Sequence, residues 1–141
     1  MLSLRELRHH ERLLVSEAIA LASHLEASPR AEPLERDRLW EHCRNGLGIA
    51  RLLVHEGRPT ALVDTACRMA VESACRAALD LAGFEYDGDL VRSLDRLSAP
   101  HDLLAGLGEG PAAGRLAACE HAVGFLAGYL RSEAPERSWS F

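Results

Sequence analysis

The sequence predicts an all-α fold, an antiparallel up-down bundle of four to five helices, from three observations. Strand formers are scarce, with two threonines and two isoleucines in 141 residues. No apolar run alternates at a spacing of two, whereas long stretches place apolar residues three and four apart. With 48% apolar and 26% charged residues at this length, one core of ordinary size is expected without a stapling disulfide or metal.

The elements follow in chain order. A first helix is expected over residues 3–25, opened by Ser3 and Glu6 in capping-box spacing. It carries Leu4, Leu7, Leu14, Ala18, Leu21 and Leu25 on one side. Pro29 and Pro33 close the linker after it. A second helix starts near Pro33, which a first turn tolerates, and continues through Trp40, Cys43, Leu47, Ala50 and Val54 until Gly57 stops it. The short connection Gly57-Arg58-Pro59 favours an antiparallel neighbour. Thr60 is the expected cap of that third helix, which reaches Ala82 and ends at Gly83. Its slender face of Ala66, Ala70, Ser73, Ala74 and Ala77 lets another helix approach closely, which places it at the centre of the bundle. Phe84 to Asp89 reads as an acidic turn, and Leu90, Val91, Leu94 and Leu97 as a short helix stopped before Pro100. Gly106, Gly108, Gly110 and Gly114 loosen the next stretch until Leu116, Cys119, Val123, Leu126 and Leu130 resume a helical rhythm. Residues 1–131 are thus expected to form one domain and residues 132–141 a flexible tail, whose Trp139 and Phe141 are available to a partner surface.

Charge and cysteine usage narrow the function classes. With 21 acidic against 16 basic residues and a net charge of -5, the chain lacks the basic excess that drives non-specific duplex binding. All 16 basic residues are arginine, a bias that carries no functional weight by itself. Cys43, Cys67, Cys75 and Cys119 show no C-x-x-C spacing, and no apolar run reaches 18 residues. The expectation is a cytoplasmic protein with reduced, buried thiols and no membrane partner.

Residues 34–97 resemble the HEPN family, small helical domains named as nucleotide-binding in higher eukaryotes and prokaryotes. The resemblance is carried by Trp40, by Ala50-Arg51-Leu52-Leu53 with Gly57, and by the alanine-rich run from Ala66 to Leu79 with its internal Ala70-Val71-Glu72 and terminal Gly83. Asp89-Leu90 and Leu94 complete it, and the region 34–131 follows it more loosely. The resemblance implies a bundle that dimerises and engages RNA or a nucleotide. Many members are ribonucleases using an arginine and a histidine four to six residues apart, while others accompany a nucleotidyltransferase and have lost catalysis. Arg115 and His121, with five residues between them, are the matching pair here. Leu116 stands where the commoner pattern has a polar residue, and Gly88 where a histidine often precedes the short helix.

Metal-independent RNA cleavage needs a base for the 2'-hydroxyl and a cation for the developing phosphorane charge. His121 and Arg115 have those chemistries. Six residues of ideal helix correspond to about 240° of rotation and about 9 Å of rise, so the two do not share a face automatically. Arg115 reaches His121 only if it lies in a frayed helix start; otherwise both are polar surface positions. Ala117, His121, Gly124 and Gly128 surround the histidine with little bulk, which suits a twofold dimer with a composite cleft or close packing within one bundle. Arg68, Glu72 and Arg76, spaced i, i+4, i+8, form either an ion-paired stripe or part of a binding groove in which Glu72 orients Arg115 or His121. Glu6 and His9 have the Glu-x-x-His spacing of di-iron bundles, but no second copy and no His-x-x-x-His exists, so neither metal nor cofactor is expected. His9, His10, His24, His42, His55 and His101 read as polar surface or interface residues. The functional expectation is a HEPN-like domain engaging RNA or a nucleotide, with weak metal-independent ribonuclease activity. The alternative is a non-catalytic homodimeric module that accompanies a nucleotidyltransferase or another partner.

Overall fold

The computed structural model describes residues 33–135 and 137–141; the expected helix over 3–25 lies outside them. Four helices make up the regular structure of the described residues: α1 (Pro33–His55), α2 (Thr60–Ala82), α3 (Leu90–Arg96) and α4 (Ala112–Glu133). No strand occurs among the described residues, in keeping with the all-α expectation.

Local chemistry sets the boundaries. Gly57 takes the left-handed conformation with φ 65°, and its N–H donates to the Val54 carbonyl as α1 ends. At the start of α2 the cap position falls on Pro59, so Thr60 is the first helical residue and not the cap. At its end Gly83, with φ 83°, donates to Asp80 and the Phe84 N–H closes on Leu79, the left-handed stop that its glycine predicts. Asp89 caps α3 by accepting from the Arg92 N–H at 3.0 Å. α4 begins three residues before Arg115, earlier than the expected rhythm, because Pro111 supplies the extended cap position and its carbonyl accepts from the Arg115 N–H.

The pairings fix the directions. Arg36 on α1 reaches Asp80 on α2 at 2.6 Å, whereas Gly46 lies against Ala66, Met69 and Ala70, so these two helices run antiparallel. Asp64 pairs with Arg115, and Cys67 meets Cys119, so α2 and α4 run parallel. Residues 83–111 therefore carry the chain back along the bundle between them. The core lies where α1, α2 and α4 meet: Leu39, Leu47 and Leu53 from α1, Val63 and Leu79 from α2, and Leu126 and Leu130 from α4 are all buried. Every residue from Ser73 to Leu79 is buried, which bears out the central place that the small side chains of α2 predict.

The C-terminal tail departs from the expectation of a loose end. Trp139 is 3% exposed and stands edge-on to Trp40, their ring centroids 5.6 Å apart. Its indole N–H donates to the Ala134 carbonyl, and the Trp40 N–H donates to the Ser140 carbonyl. Arg137 pairs with Asp37, and Arg131 donates to the Trp139 carbonyl. Two large rings with their donors satisfied bury more apolar area than ordering a few residues costs, so the segment packs on its own chain. Phe141 follows, lying beside Trp40 and over Gly124.

Candidate functional site

Arg115 sits in the first turn of α4, and its side chain folds back toward the helix start. Its Nε donates to the Gly110 carbonyl at 2.7 Å and its Nη1 to Asp64 on α2 at 2.5 Å. This direction is the ordinary one for a long helical side chain, which leans over the preceding turn. The guanidinium is 17% exposed and thereby ties α4, the end of the glycine-rich connection and α2 together. A charge-assisted bond of this kind is stronger than a neutral one and fixes the arginine's orientation.

His121 lies farther along the same regular helix, on its exposed side. The condition under which sequence spacing brings the pair together, a frayed start at Arg115, is not met. Arg115 turns back to partners at the start of α4 and on α2, whereas His121 lies six residues, about 9 Å of helical rise, farther along. Beside the histidine, Glu120 makes an exposed ion pair with Arg51 of α1 at 3.4 Å.

Arg68, Glu72 and Arg76 part company. Arg68 and Glu72 form the expected i, i+4 pair at 2.8 Å, with Arg68 73% exposed. Arg76 instead leaves the solvated stripe and is 1% exposed. Burial lowers its pKa, while the nearby Asp80 and Glu35 favour its charged form. Burial, and then the charge of Glu72, push the Tyr86 hydroxyl up from its ordinary range. Glu72 serves Arg68, and Asp64 takes the role of orienting Arg115. Sequence spacing carries no signal for the Asp64–Arg115 pair, whose members lie 51 residues apart.

Two concavities among the described residues lie elsewhere. One of about 450 Å³ is lined by Val91, Leu94, Ala99, His101, Leu103 and Leu104 among others, and a second of about 380 Å³ by Glu41, Arg44, Asn45, Ser140 and Phe141. Neither Arg115 nor His121 lines them. Among the described residues no group of three or more His, Cys, Asp or Glu side chains is placed to hold a metal, and no helix is long and apolar enough to cross a membrane. Glu6, His9, His10 and His24 fall outside the described residues.

Among the described residues, Ala117, His121 and Gly128 of the small-residue side of α4 are exposed, a Cβ at Gly128 would meet nothing within 4 Å, and Gly124 is partly covered by the Phe141 ring. No protein-family model, curated protein or solved structure matches the chain.

Proposed function

We propose that the chain is a non-catalytic, HEPN-like interaction module that pairs with a second copy of itself through the outer side of α4. The nucleotidyltransferase-type partner implied by the resemblance is the second protein in this reading. The observation that carries it is the engagement of Arg115: its guanidinium is spent on Asp64 and the Gly110 carbonyl, and His121 is left on another side of the helix. A catalytic pair needs its cation and its base within reach of one phosphate. The exposed Ala117, His121 and Gly128, with the half-buried Gly124 between them, support the pairing, because helices that lack bulk at their crossing approach closely enough for extensive dispersion contact.

The ribonuclease expectation makes a sharp alternative outcome. Purified protein incubated with single-stranded RNA in chelator is expected to leave the RNA intact. Products ending in 2',3'-cyclic phosphate, with a rate that falls about 10²-fold or more in both Arg115→Ala and His121→Ala, overturn the non-catalytic reading. Such a result would require a composite cleft assembled from two copies.

A further inference from the structure

Three of the four cysteines come from different helices and converge in the core, and two of them touch. Cys43 on α1, Cys67 on α2 and Cys119 on α4 are each fully buried. The Sγ of Cys119 lies 3.7 Å from the Cys67 carbonyl oxygen, so a side chain of one carbon and one sulfur already reaches the main chain of the neighbouring helix. A disulfide requires Cα atoms within about 7 Å.

We propose that Cys67 and Cys119 are an oxidisable pair that a peroxide converts into a disulfide bolting α2 to α4. The Cys119 thiol donates to the Cys67 carbonyl oxygen, and its hydrogen bond with the Cys67 side chain lowers the pKa of Cys67 and raises its own. Cys43 and Cys75 have no such donor, and burial pushes each up to about 12.

One sulfur of the pair attacks one oxygen of hydrogen peroxide, the O–O bond breaks, and the departing hydroxide leaves as water with that thiol's proton. The sulfenic acid so formed is attacked by the other sulfur; the S–O bond breaks and the hydroxyl leaves with the second thiol's proton as a second water. Two thiols lose two electrons and the peroxide gains them. Both thiols are fully buried, so in this proposal the peroxide reaches them in a local opening of the fold.

The sequence makes the test clean. With no lysine and with Pro59 blocking cleavage after Arg58, trypsin releases each cysteine on its own peptide: 39–44, 52–68, 69–76 and 116–131. Folded protein is treated with hydrogen peroxide, denatured, alkylated and digested without reductant. The expected result is peptide 52–68 joined to 116–131, separated again by dithiothreitol, with 39–44 and 69–76 alkylated. Four alkylated peptides, or 116–131 joined to 39–44 or 69–76, would overturn the proposal. In Cys67→Ser no joined peptide should form; a cross-link to Cys119 that persists there would count equally against it, and the wild-type map decides the matter if that variant does not fold.

Discussion

α2 and α4 carry similar runs of small residues and put them to opposite use. On α2, Ala66, Ala70, Ala74 and Ala77 are buried, and Gly46 of α1 presses on them. On α4, Ala117 and Gly128 face outward around His121. The difference lies in what flanks each run. The α2 alanines are interleaved with Val63, Cys67, Val71 and Leu79, all buried, and from Ser73 to Leu79 that helix is covered all round. α4 divides: Cys119, Val123, Leu126 and Leu130 bury one side, and the small residues on the other keep company with Glu120 and His121. Small size permits close approach, and neighbouring polarity decides whether the approach happens within the chain.

The sharpest way to break the comparison is to add bulk to the inner crossing. A Cβ at Gly46 would stand 2.9 Å from the Met69 methyl and 3.0 Å from the Ala66 carbonyl oxygen. The methionine can move, but the backbone carbonyl cannot, so Gly46→Leu should cost about 3 kcal/mol or more through overpacking. Urea unfolding checks it; an unchanged midpoint would mean that the α1–α2 approach is not close.

A smaller effect is expected at the tie between α2 and α4. Asp64→Asn removes the charge that holds Arg115, and because both groups retain some exposure, the loss should be about 1 kcal/mol. Thermal unfolding of the variant measures it. The same variant frees the guanidinium, and RNA cleavage should still be absent, since His121 remains on another side of α4. Cleavage gained on this substitution would show that the Asp64 pair masks a catalytic group.

Much of the architecture was legible because it is written locally. The Gly83 stop, the span of α2 and the short α3 depend on residues within a turn of each other, and periodicity locates them. The docked tail was not legible: Trp139 is buried by Trp40, about a hundred positions away in the chain, and nothing near Trp139 distinguishes an anchored ring from a loose one. Arg76 failed for a related reason. Its i, i+4 spacing to Glu72 reads as a surface stripe, yet it falls in the stretch Ser73–Leu79 of α2 that is buried all round. The candidate pair was legible as residue types and not as a site, since the partner that turns Arg115 away, Asp64, belongs to another helix.

The outer run of α4 bears the central claim, and Gly128 is the place to test it. Among the described residues a Cβ there meets nothing within 4 Å, and replacing a helical glycine raises helix propensity by up to about 1 kcal/mol, so Gly128→Leu should fold at least as well as the wild type. Sedimentation equilibrium of the two proteins at micromolar concentration is the direct measurement. The account predicts a dimeric wild type and a monomeric variant of undiminished melting temperature; a monomeric wild type, or a variant that associates as strongly, would contradict it.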